Sequence, residues 1–174
     1  IGGGLKGSQL SFEGQVQANS QNTTVAQGAQ INASATEQGD GGRIIIWGDN
    51  AQVGGALTAR GGNAGGNGGF IETSGHVLSV SGAAISASAP KGQAGEWLLD
   101  PYNLTIVNGS NVNTSGAPGG FAATGNDSQV NNVQISDVLN NGTSVSLTTG
   151  TAGSNGTQAG NLVQNAGADI AKTA

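Results

Sequence analysis

The sequence predicts an all-β solenoid, a coil of stacked β-rungs. Three observations point there. Gly42-Arg43-Ile44-Ile45-Ile46-Trp47, Gly69-Phe70-Ile71-Glu72-Thr73-Ser74 and Gly95-Glu96-Trp97-Leu98-Leu99-Asp100 read alike, with leading glycines 27 and then 26 residues apart. A period in this range marks a repeat architecture. The pieces between them, such as Leu57-Thr58-Ala59 and Ala84-Ile85-Ser86-Ala87, are short and β-like, so each residue should lie above its counterpart one turn earlier. Finally, 33 glycines with 3 % aromatic and 9 % charged residues suit a narrow coil better than a round core, which needs larger side chains.

Composition also narrows function. A net charge of −5 argues against nucleic acid, which requires a basic face. There is no cysteine, so disulfides and thiolate-metal sites are excluded. No apolar run is long enough to span a bilayer as a helix. The chain begins at Ile1 and shows no signal peptide, which reads as a piece of a longer protein.

In chain order, residues 1–107 read as rungs. The first part, Ile1 to Ala35, looks irregular, with short alternating strands at Leu10-Ser11-Phe12 and Gln15-Val16-Gln17. Val25, Ile31 and Ala33 match Val53, Leu57 and Ala59, which lie 28, 26 and 26 residues later, so the repeat extends back before Gly41. Alternation along the three long repeats puts Ile44, Ile46, Ile71, Thr73, Trp97 and Leu99 inside, as one core stack. The outer column then carries Ile45, Trp47, Phe70 and Leu98, an apolar patch that something should cover. Gly61 to Gly69 is a corner between rungs: it lacks the Lys-Ser/Thr ending of a phosphate-binding loop. Pro101 should end pairing, since it has no N–H to give.

Residues 108–132 break the period and read as a surface excursion, with Phe121 placed over the apolar column. Residues 133–174 return to the coil. A short helix is expected near 136–141, capped by Ser136 and ended by Gly142. Seven rungs at about 4.8 Å would make a rod about 35 Å long.

The chemistry is sparse. Glycoside hydrolysis needs two carboxylates facing one substrate. No column of the aligned repeats holds two acids, and only diagonal Glu72–Glu96 or Glu72–Asp100 pairs remain. With no activated nucleophile evident, the chain reads as a non-enzyme. His76 is the only histidine, with Asp49 its counterpart one repeat earlier; it reads as a turn residue, and no cofactor or metal is expected. An adhesive face needs aromatic and hydrogen-bonding groups over some area, for which Arg43, Trp47, Glu72 and Tyr102 are the candidate carbohydrate or partner contacts. The competing reading leaves Trp47 covered by the excursion.

Gly68-Gly69-Phe70-Ile71-Glu72-Thr73-Ser74-Gly75, Val77 to Gly82 and Trp97 to Ile106 together resemble the filamentous-haemagglutinin-type adhesins. The resemblance covers roughly Gly41 to Leu147. It implies a right-handed parallel β-helix within an exoprotein of a Gram-negative bacterium, secreted through an outer-membrane transporter partner and displayed at the cell surface. It also implies attachment as the role, with a polysaccharide or cell-surface glycan as ligand in some members.

Overall fold

Each turn of the coil starts where glycine lets two backbones touch. Gly42, Gly69 and Gly95 donate their N–H groups to the carbonyls of Ala33, Ala59 and Ala87, at 2.7, 2.7 and 2.8 Å. A Cβ on Gly69 would lie 2.1 Å from the Gly42 carbonyl oxygen, and one on Gly95 would lie 2.2 Å from that of Gly69. These glycines are therefore required by space, because the corners of successive turns rest directly on one another. The expected corner at Gly61–Gly69 is present, tied to neighbouring turns by backbone hydrogen bonds at Gly61, Gly62, Gly68 and Gly69.

The computed structural model describes residues 1–109, 128–150 and 159–173. Its strands in order are β1 (Leu10–Phe12), β2 (Gln15–Gln17), β3 (Asn22–Val25), β4 (Gln30–Asn32), β5 (Arg43–Val53), β6 (Ala56–Thr58), β7 (Phe70–Ser79), β8 (Ala84–Ser86), β9 (Glu96–Pro101), β10 (Leu104–Val107), β11 (Ser128–Asn131), β12 (Ser144–Leu147) and β13 (Leu162–Gln164). One helix, α1 (Asn132–Asn140), precedes β12. Apart from the β1–β2 hairpin, the strand pairs are parallel, as a β-helix requires.

The coil has three walls. The first stacks the start of β5, the start of β7, then β9 and β12. Its inner files are Ile44–Ile71–Trp97–Val145 and Ile46–Thr73–Leu99–Leu147. Ile46, Ile71, Thr73, Trp97 and Leu99 are fully buried, and Ile44 nearly so. Burying each large aliphatic or aromatic side chain contributes about 1.5–3 kcal/mol. Thr73 is tolerated among them because the Trp97 indole Nε1 donates to its hydroxyl at 3.1 Å. The third wall, β4–β6–β8, stacks Ile31, Leu57 and Ile85 in register. Val25 pairs with Val53 on the second wall.

The second wall departs from chain order. From β3 it runs through the ends of β5 and β7 to β11, then β10, then β13. Strand β10 follows β9 in sequence yet sits one level too high, and β11 fills the vacated level. Asn103 makes the step: its carbonyl accepts the Ser128 N–H at 3.2 Å, while its side-chain oxygen accepts the Asn161 N–H at 2.8 Å. Ser128 also accepts the Leu78 N–H through its hydroxyl at 2.8 Å, closing the joint to β7.

Several sequence-based expectations change. Ser128–Asn131, assigned to the excursion, is this inserted strand; the rest of the excursion, 110–127 with Phe121, lies outside the described residues. The helix begins earlier than 136. Asn131 caps it, accepting the Val133 N–H at 2.7 Å, whereas Ser136 bonds back to the Asn132 carbonyl. Gly142 takes the left-handed φ of +78° that follows the helix end. Pro101 does not end pairing: it pairs opposite Gly75, and its carbonyl accepts the Gly150 N–H. Among the described residues the apolar column is covered at Trp47 by the 3₁₀ turn Leu5–Gly7, which places Gly7 against the indole. Leu10–Phe12 and Gln15–Gln17 are not rungs but an exposed antiparallel hairpin, turned by Glu13 and Gly14 at φ +51° and +76°. The described strands complete about three turns, and the second wall is deepest with six strands; the seven-rung rod is not reached.

Helix α1 replaces the next strand of the third wall. Gln134 donates to the Val80 and Ala83 carbonyls at 2.9 and 3.1 Å, and the Thr143 hydroxyl accepts the Ala87 N–H at 2.9 Å. Ile135 and Val138 close the core beneath it.

Replacing Gly95 by alanine tests the corner packing. The extra methyl must push two turns apart, so urea unfolding should show a loss of about 1–3 kcal/mol or more. An unchanged midpoint would refute the tight-corner account.

Candidate functional site

The outer face of the first wall carries the residues with chemistry, and the structure divides them among three environments. Trp47 and Glu72 lie beneath the N-terminal turn, and both are buried. The Trp47 N–H donates to the Ile1 carbonyl at 3.0 Å. Glu72 Oε1 accepts the Lys6 backbone N–H at 2.6 Å and the Ser74 hydroxyl at 2.7 Å. Glu72 Oε2 is buried with no hydrogen-bond partner. Loss of water around the carboxyl therefore raises its pKa above the ordinary 4.5. The two hydrogen bonds oppose this, and nearby Asp100 adds to it. Asp100 itself accepts a hydrogen bond from the hydroxyl of Thr148, just beyond the end of β12. The diagonal Glu72–Asp100 pair is thus near neighbours in charge, with Glu72 sealed from solvent.

At the corner between the first and second walls, one residue per turn builds a second cluster. His76 Nδ1 lies 3.1 Å from Asp49 Oδ1, its counterpart one turn below. The Tyr102 ring stacks on His76 at 4.1 Å between centroids, and Trp47 meets the same imidazole edge-on at 5.6 Å. His76 is more than the turn residue expected, since it links three successive turns through its ring. Loss of water, with the Asp49 charge adding to it, raises the Tyr102 pKa above 10.0.

Arg43 lies at the far end of β5, exposed, with its guanidinium carbon 5.1 Å from the Phe70 ring centroid. It lines an open groove of about 620 Å³ along the glycine corners, together with Asp40, Phe70, Glu96, Ser144 and the glycines Gly41, Gly42, Gly68, Gly69 and Gly95. Register makes this groove run along the coil axis: Arg43, Phe70, Glu96 and Ser144 occupy the same position on β5, β7, β9 and β12. Asp40, also in the lining, accepts the Asn67 N–H at 2.7 Å, and the Asn67 side chain accepts the Gln93 N–H at 2.9 Å.

The four contacts expected from sequence are therefore not one surface. Trp47 and Tyr102 meet through His76 at the corner, Glu72 is enclosed, and only Arg43 faces the groove. The groove members Phe70, Glu96 and Asp40 were legible as parts of the repeat, but the hollow between them was not. Among the described residues no group of three or more His, Asp or Glu side chains is placed to hold a metal ion, and no helix is long and apolar enough to cross a membrane. Comparison with models of known families finds no match, and no curated protein matches the chain.

Two titrations follow. Because the folded chain holds the Glu72 proton more tightly than the unfolded chain, the associated stability is fully present below about pH 4.5 and is lost as pH rises through the raised folded value. Glu72→Gln should flatten that fall in urea-unfolding experiments spanning pH 4 to 8, the order-of-magnitude window of the linkage; an identical slope in both proteins would contradict it. The single tyrosine should ionise, by near-ultraviolet absorbance, with a midpoint above 10.0, and Asp49→Asn should bring that midpoint down.

Proposed function

We propose that this chain is a structural segment of a secreted, surface-displayed bacterial adhesin, a stiff β-helical stalk for attachment to other cells, matrix or host. The observation that carries the reading is the unbroken register of the first wall, where β5, β7, β9 and β12 stack without a slipped residue. Rung-to-rung backbone hydrogen bonds of this kind resist bending, and nearest-neighbour stacking lets such a rod be extended by adding turns. The resemblance of Gly68–Gly75 and Trp97–Ile106 to filamentous-haemagglutinin-type adhesins supplies the adhesive role. It also supplies the Gram-negative cell surface and the transporter partner of the parent protein.

A second reading, a carbohydrate-binding module of the same exoprotein, is favoured by the axial groove. It combines one exposed cation, acids and a hydroxyl with a half-buried aromatic ring. Saccharide recognition draws on that combination.

Antibodies raised against the folded chain test the main reading in the bacterium that produces it. They should label unpermeabilised cells or the shed medium and reduce attachment. Labelling only after permeabilisation, or unchanged attachment in a strain lacking this segment, would overturn the stalk.

A further inference from the structure

We propose that residues 1–7 form a pH-sensitive strap, closed over Trp47 while the Glu72 carboxyl is protonated and lifted from the first wall when that carboxyl ionises. The device is independent of the stalk and saccharide readings.

The strap is held mainly through its backbone. The Ile1 carbonyl accepts the Trp47 N–H at 3.0 Å, and the Gly2 carbonyl accepts the Ser20 N–H at 2.6 Å. The Gly7 carbonyl accepts the Asn19 side-chain amide at 2.6 Å. Two glycines let it lie flat: a Cβ on Gly2 would stand 1.9 Å from the Trp47 carbonyl oxygen, and one on Gly7 would stand 2.6 Å from the indole nitrogen. Its large apolar side chains, Ile1 and Leu5, are exposed, so the strap gains little from burial of its own. Lys6 holds a left-handed φ of +50°, which costs a lysine energy that lifting releases.

Beneath it, Glu72 stands in register with Ile45 on β5 and Leu98 on β9. An acid between two apolar neighbours needs water or donors once it is charged. The closed strap excludes water and returns one donor, the Lys6 N–H, which joins the Ser74 hydroxyl on Oε1. Oε2 is sealed with no partner among the described residues. The charges that act on the carboxyl are the Lys6 ammonium of the strap, which favours ionisation, and Asp100 of β9, which opposes it. The Ile1 amino group is turned to the Ile45 carbonyl at 2.7 Å. A neutral carboxyl tolerates this enclosure far better than a carboxylate does. Lifting the strap gives the carboxylate water in exchange for the single Lys6 bond, so ionisation and opening favour one another. Closure raises the Glu72 pKa, with burial as the largest cause, and opening returns it toward 4.5. Opening therefore grows as pH climbs from about 4.5 and levels off above the closed-state value.

Acrylamide quenching of tryptophan fluorescence on the whole chain tests the strap. Trp97 is fully buried in the core, so a gain in quenching reports Trp47. Quenching should rise with pH in the native protein and stay level in Glu72→Gln. His76 meets Trp47 edge-on in both proteins, so the difference between them belongs to Glu72. Asp100→Asn should shrink the rise by removing the charge that opposes ionisation, and it carries the test if Glu72→Gln does not fold. Amide hydrogen exchange, corrected for the intrinsic rate at each pH, shows whether the opening is local. The Trp47 and Ser20 amides, which the strap carbonyls accept, should exchange faster than those of β9 at each pH and accelerate by up to about tenfold per pH unit. Quenching that does not change with pH, or that Glu72→Gln leaves as it was, would overturn the strap. So would Trp47 and Ser20 amides that exchange only as fast as those of β9, since they would then open with the whole coil.

Discussion

The coil depends on one constraint: every turn must close against the last with no side chain between them. The Ala–Gly hydrogen bonds at Gly42, Gly69 and Gly95 meet it at the corner joining the third wall to the first. Because a Cβ at Gly69 or Gly95 would penetrate a neighbouring carbonyl, the turns approach closely only where glycine recurs at the repeat length. The closure in turn holds β5, β7 and β9 in register, which sets the inner files of Ile44, Ile71 and Trp97 above one another. Backbone spacing, core packing and the groove thus share a cause. The glycines that allow contact between turns also line the groove.

Burial without compensation distinguishes the two clusters on the outer face. The corner stack of Asp49, His76 and Tyr102 remains partly solvated, so its contacts are modest individually and act by repetition along the axis. Glu72 is different. It has been drawn under the N-terminal turn with one oxygen unsatisfied, which costs stability whenever the carboxyl is charged. The same turn covers Trp47. The apolar cover and the enclosed acid are therefore opposing contributions from one segment.

Much of the coil was readable in the residues themselves. Spacings of 26 to 28 between Val25 and Val53, Ile31 and Leu57, or Ile44 and Ile71 are each a register pair in the structure. Alternation placed Ile46, Thr73 and Leu99 in one inner file, since side chains change face at each step along a strand. The site was less readable. Arg43 was visible as an outward cation, but a groove is a missing volume, and no single residue reports it.

The sequence by itself determined the local repeat: turn length, the inward positions and the glycine corners, because these follow from backbone geometry over a few residues. Only the tertiary structure decided where distant pieces settle. Ser128–Asn131 inserts below β10, α1 takes the place of a third-wall strand, and Leu5–Gly7 lies across Trp47. Each of these choices joins segments separated by long stretches of chain. Edge hydrogen bonds and apolar cover are interchangeable among such segments, so the winner is set by which one fits the vacant edge, a comparison that no local pattern contains.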